Sequence, residues 1–99
     1  MARFDIYRNA AGPGYLLDIQ ADLLSHLNTR IVIPLLPLVS APKPASILNP
    51  LIEIDGIPHT MVTQFIAAVP LKTLKNPIVN ASSQREAITS ALDMLFQGF

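Results

Sequence analysis

The chain has 99 residues, 51% of them hydrophobic and only 14% charged, with seven basic and seven acidic side chains and no cysteine. That length holds one core rather than two domains. Its balanced charge, scattered over Arg3, Arg8, Arg30, Lys43, Lys72, Lys75 and Arg85, excludes the clustered positive surface of a phosphate-backbone binder, and the missing thiols exclude disulfides, thiolate chemistry and sulfur-ligated metals.

A mean hydropathy of +0.42 is high for a domain with so much surface per unit volume, so a self-associating face is expected. The first residues, MARFDIYRNAAG, carry no apolar h-region, and no signal peptide is expected. Residues 31–39 are apolar, but Pro34 and Pro37 interrupt them and the run is too short to span a bilayer. The absence of cysteine suits a reducing cytoplasm.

Residues 3–8 (RFDIYR) alternate apolar and polar, the period of a half-buried strand. Residues 9–14 (NAAGPG) read as a turn and 15–20 (YLLDIQ) as a second strand, forming a hairpin with the first. Residues 21–28 read as a connection with one helical turn. Residues 29–39 (TRIVIPLLPLV) are the most β-prone stretch, yet proline cannot donate a ladder hydrogen bond, so Pro34 and Pro37 predict bends or edge positions. A strand that bends part-way fits a small curved barrel better than a flat sheet.

Residues 40–50 hold three prolines and read as a loop. Residues 51–55 and 57–64 flank Asp55-Gly56, a strong hairpin signal. Residues 65–71 (FIAAVPL) predict another apolar strand, and 72–81 are irregular around Pro77. Strands are thus expected within about 3–71 and a closing helix over about 83–97. In that helix Ser83 and Glu86 have capping-box spacing, and Ile88, Ala91, Leu92 and Leu95 form the apolar stripe with Phe96 at its edge. Glu86, Ser90, Asp93 and Gln97 fall opposite, and Gly98 is placed to end the helix in a left-handed conformation. A terminal aromatic, Phe99, is equally suited to tucking under a core or to meeting a partner.

No catalytic signature emerges. His26 and His59 lack neighbouring Cys or paired carboxylates and read as structural, not as metal ligands. Asp18 and Asp22, four apart, offer too few oxygens for a hard-cation site and read as a strand-end residue and a cap. Nucleophile-elbow, P-loop and dinucleotide motifs are absent. Arg30 beside Thr29 could enter a ribonuclease site only by a chance pairing. The residues alone lead to a small mainly β interaction domain with no cofactor.

Several blocks in order nevertheless carry a resemblance. Residues 4–7 open it, followed by 17–24 (LDIQADLL) and 29–35 (TRIVIPL). Then come 52–55, 61–64 (MVTQ) with 69–71 (VPL), and 95–99 (LFQGF). With these the chain resembles, from end to end, the CcdB family of toxins from type II toxin–antitoxin pairs. The resemblance implies a mainly β fold, an SH3-like barrel of the CcdB/PemK type with one C-terminal helix, acting as a homodimer. It implies a non-enzymatic activity in which the protein binds the DNA gyrase A subunit and traps the enzyme on cleaved DNA. A cognate CcdA-like antitoxin with a disordered tail removes it. Carried over by position, the gyrase-binding residues are Leu23, Leu24, Asp93, Gln97, Gly98 and Phe99. Two other readings stay open: an endoribonuclease toxin of the MazF/PemK type, which resembles the same barrel, and a diverged relative that binds antitoxin without acting on gyrase. The second follows from Gln97 and Asp93, which stand where the best-known family member has Trp and Asn.

Overall fold

The β-branched residues 31–33 lie at the centre of one sheet, in strand β3 (Thr29–Pro37). The structure is a computed structural model that describes residues 2–98; Phe99 lies outside the described residues. Before β3 come β1 (Asp5–Arg8) and β2 (Tyr15–Asp18). After it come β4 (Leu51–Ile54), β5 (Ile57–Met61), β6 (Ala67–Pro70), β7 (Val79–Asn80) and, alone of its kind among the described residues, an α-helix, α1 (Arg85–Gln97). The sheet order is β4-β5-β3-β2-β1-β7, with β6 also on β3, and every pairing is antiparallel.

Strand β3 curls this sheet. One edge pairs with β2 from Asp18↔Val32 to Tyr15↔Leu35. The other edge changes partner, pairing with β6 from Thr29 to Val32 and with β5 from Leu35 to Pro37. Pro34, which has no N–H to give, sits at the change, and its carbonyl accepts from the Val62 N–H at 3.0 Å. A strand whose halves serve different neighbours bends, and the result is a nearly closed barrel-like sheet. The expected bend at Pro34 is therefore present, and Pro37 ends the strand.

The 1–2 hairpin forms as expected, in the register Ile6↔Leu17. The Asp55-Gly56 turn has φ of 53° and 76° at its two central residues, the double left-handed geometry of a type I′ hairpin. Four details differ from the sequence reading. A 3-10 turn at Thr63–Phe65 takes the start of the strand expected over 65–71, so β6 begins at Ala67. A short β7 lies within the segment read as irregular, because two residues are too few to show a period. The helix starts at Arg85, and the Ser83–Glu86 capping box does not form. A 3-10 turn, Ser82–Gln84, closed by Gln84 N to Ala81 O and Arg85 N to Ser82 O, takes in Ser83, so the helix's N-cap position falls to Gln84 and not to Ser83.

Strand alternation gives the sheet two buried faces. One carries Ile6, Leu17, Ile33, Leu35 and Met61 and receives Ile88 and Ala91 of α1, with Leu92 packed against the cluster. The other carries Tyr7, Val32 and Leu74, and the same alternation places Asp18 and Arg30 there. Phe4, 1% exposed, ties helix to barrel. Its N–H donates to Asp18 O at 2.6 Å and its carbonyl accepts from Ala81 N at 2.8 Å. Holding both bonds requires a φ of 73°, an unfavourable conformation for a bulky residue.

Candidate functional site

The helix presents a split surface. Ile88 and Ala91 are fully buried, Leu92 and Leu95 are half-buried, and Glu86, Ser90, Asp93, Phe96 and Gln97 are exposed. Phe96 is 70% exposed, although sequence periodicity sets it at the stripe's edge. Eight residues beyond Ile88, it points about 80° away from that residue at about 100° per residue, far enough to leave the barrel. Asp93, Phe96 and Gln97 thus share the outward side of the last turn. Gly98 follows with φ of 80°, its N–H donating to Met94 O at 3.1 Å, the left-handed helix end that the sequence predicts.

Leu23 and Leu24 lie on a different element, a 3-10 turn at Asp22–Leu24 between β2 and β3. Three polar residues spaced D-x-Q-x-D hold this loop. Asp18 Oδ1 accepts from the Gln20 N–H at 3.0 Å. The Gln20 side chain donates to Leu24 O at 3.1 Å and accepts from the Ile31 N–H at 3.1 Å. Asp22 Oδ1 accepts from the Arg3 N–H at 2.8 Å. With its backbone pinned in this way, the turn displays Leu23 at 87% exposure. The candidates thus come from two elements, Leu23 with Leu24 on this turn and Asp93 with Gln97 and Gly98 at the end of α1. Phe99 lies outside the described residues.

Beneath the loop sits the one ion pair of the described residues. Arg30 Nε donates to Asp18 Oδ2 at 2.9 Å and Nη2 lies 2.7 Å from the same oxygen, with both side chains fully buried. Neither Nη atom has an aligned hydrogen bond, Nη2 supplying the ion contact alone, and the Tyr7 hydroxyl is buried without a partner. Burial pushes the Asp18 carboxyl above its ordinary 3.8, against the opposing hydrogen bonds from Arg30 and Gln20. Burial, then the negative charges of Asp5 and Asp18, push the Tyr7 hydroxyl above its ordinary 10.0.

These placements bear on several sequence readings. Asp18 is an ion-pair partner rather than a simple strand-end residue, and Asp22 anchors a loop. Arg30 is enclosed and unavailable to a bound RNA. His26 is exposed, and His59 is buried with Nδ1 2.9 Å from Ile57 O. Among the described residues no three His, Cys, Asp or Glu side chains gather as metal ligands, and no helix is long and apolar enough to cross a membrane. Sequence reasoning missed the Asp18–Arg30 contact, although their placement on neighbouring predicted strands was its available signal. It also left Phe96 out of the candidate surface.

The sequence model of one protein family, described as CcdB protein, matches residues 3–98. The chain belongs to the CcdB family. Its barrel-like sheet and single closing helix agree with that membership, as does the D-x-Q-x-D block, each polar member of which has a structural task. Membership in the CcdB family supports a role as the toxin of a toxin–antitoxin pair.

Proposed function

We propose that this protein poisons DNA gyrase. As a cytoplasmic homodimer it applies Leu23, Leu24, Asp93, Phe96, Gln97, Gly98 and Phe99 to the gyrase A subunit and holds the enzyme on cleaved DNA. A CcdA-like antitoxin, folding on binding, takes it off. The observation that carries this reading is the family match across residues 3–98. The exposure of Leu23 and Phe96 supports it, since large side chains set out on a braced turn and a helix end are apt anchors for a small interface. Self-association is supported by other exposed apolar side chains, Val39 at 96% and Ile57 at 60%.

The activity needs no bond-making by the protein, because affinity for one state of gyrase is enough to accumulate it. A ribonuclease reading would draw on Arg30, which is enclosed with Asp18. The test is a gyrase cleavage reaction with plasmid DNA, opened by detergent and protease. Linear DNA should accumulate in proportion to the added protein, while an RNA incubated with the same preparation stays intact. No excess of cleaved plasmid over gyrase alone would refute the proposal.

A further inference from the structure

The 3-10 turn that displays Leu23 and Leu24 buries none of its three residues, so apolar packing does little to fix its shape. Hydrogen bonds hold it, and Gln20, 7% exposed, supplies the buried ones. Next to Gln20 a backbone bond from Ile19 N to Ile31 O, at 3.0 Å, joins the end of β2 to β3. Past that bond the Gln20 N–H turns aside to Asp18 Oδ1 at 3.0 Å, and the side-chain carboxamide takes over. Its Nε2 donates to Leu24 O at 3.1 Å and its Oε1 accepts from the Ile31 N–H at 3.1 Å. One side chain thus ties the last residue of the turn to a central strand of the barrel.

The other bonds of the loop do not duplicate this tie. Asp22 Oδ1 holds the Arg3 N–H and Arg3 Nε donates to Ile19 O, while Asp18 and Arg30 are paired with each other. The remaining partner of the Leu24 carbonyl is the Leu27 N–H at 3.1 Å, within the loop itself. The chemistry of the tie is specific. A carbonyl can only accept and an N–H only donate, so the position calls for one donor and one acceptor on the same short group. A carboxamide has both. A carboxylate has two acceptors and sets an oxygen against Leu24 O, and a thioether replaces neither bond.

We infer that Gln20 is the positioning residue of the recognition surface. It holds the Leu23–Leu24 turn in the orientation that the gyrase A subunit meets, without touching that partner. A turn released at Leu24 keeps both leucines but spreads them over many orientations, and binding must then order them again. The inference rests on the gyrase reading and adds to it a requirement that lies beneath the contact residues.

The test uses the full chain with two changes of similar size, Gln20→Glu and Gln20→Met. Calorimetric titration against the isolated gyrase A subunit gives the dissociation constant and the stoichiometry. Methyl NMR relaxation of Leu23 and Leu24 in the free chain gives the order of the turn, and the carboxyl carbon signal of Gln20→Glu shows where that group titrates. Burial raises its pKa above the usual 4.3. With the carboxyl ionised, Gln20→Glu should bind about tenfold more weakly than the native chain at the same pH, with both leucines more mobile. Once protonated, the carboxyl can donate to Leu24 O, and both readings should return towards native. Gln20→Met should show its loss at every pH. A role in stability alone would lower the stoichiometry and keep the native constant. A native constant in both variants, unchanged order of both leucines, or a Gln20→Glu deficit that persists in the protonated state would overturn the inference. A native chain that does not bind the A subunit refutes the gyrase reading instead, and the order of the two leucines then decides alone whether Gln20 sets the turn.

Discussion

Replacing Arg30 by Met keeps most of the side chain's length and strands the Asp18 carboxylate away from water. In the native protein Oδ2 receives Arg30 Nε at 2.9 Å and Nη2 at 2.7 Å, whereas Oδ1 receives only the Gln20 N–H at 3.0 Å. The substitution removes both contacts to Oδ2 and leaves a fully buried charge with one donor. Breaking a buried pair from one side costs about 3–5 kcal/mol. A chain of this length has total stability of about 5–15 kcal/mol, and each kcal/mol moves Tm by roughly 4–8 °C. Arg30→Met should therefore melt at least about 12 °C lower. Taking away both charges, as Asp18→Leu with Arg30→Met, should recover most of the loss, because the penalty lies in the stranded ion. Urea unfolding of the native, single and double variants gives the coupling, expected at about 2 kcal/mol or more.

The pH dependence has a definite sign. Burial already holds the Asp18 carboxyl above 3.8 in the folded protein, and loss of Arg30 raises it further. A folded-state pKa above the unfolded one contributes stability that is fully present below the unfolded pKa and lost as pH rises through the folded one. The deficit of Arg30→Met should be smallest below about pH 4 and widen towards neutrality. An Arg30→Met variant within about 1 kcal/mol of the native protein at neutral pH, or a strictly additive cycle, would refute this reasoning.

Tyr7→Phe deletes a buried hydroxyl that has no partner, so calorimetry should find stability unchanged or raised by about 1 kcal/mol. The native hydroxyl's raised pKa makes its contribution disappear as pH climbs past 10.0, and the variant should lose that part of its alkaline decline. Gly14→Ala should cost more than Gly56→Ala in urea unfolding. Both glycines have positive φ and share the roughly 1–2 kcal/mol of left-handed backbone, but only at Gly14 does the added Cβ strike Leu35 O. Ile88→Ala, at a fully buried position, should lose about 2–5 kcal/mol, whereas Phe96→Ala, at a position 70% exposed, should stay within about 0.5 kcal/mol by the same unfolding assay.

Much of the fold was legible because local signals coincide with global ones. Asp55-Gly56 specifies its hairpin by φ alone, Pro34 marks where β3 changes partner, and Ile88 with Ala91 names the helix face that packs. Illegible features depended on tertiary neighbours. The capping box lost to a 3-10 turn that takes in Ser83 and moves the helix's N-cap to Gln84. β7 exists only because Asp5 and Ile6 offer an edge for Asn80 and Val79. The Asp18–Arg30 pair is a contact across twelve residues, and the only trace of it in the sequence, two successive predicted strands, does not fix the register that brings the charges together. For the candidate surface, resemblance pointed to Leu23, Asp93 and Gln97, and the structure places all three in the open. Phe96 needed coordinates, because less than a quarter turn separates a stripe's edge from its buried centre and periodicity alone does not say on which side of the boundary it falls.

Calorimetric titration against the isolated gyrase A subunit tests the central claim most directly, run with the native protein and with a Leu23→Ser, Phe96→Ser variant. Both positions are exposed, so the variant should melt with the native protein, and loss of two apolar anchors should weaken binding by at least about a hundredfold. A native protein that does not bind the A subunit, or a variant that binds it equally well, would contradict the account.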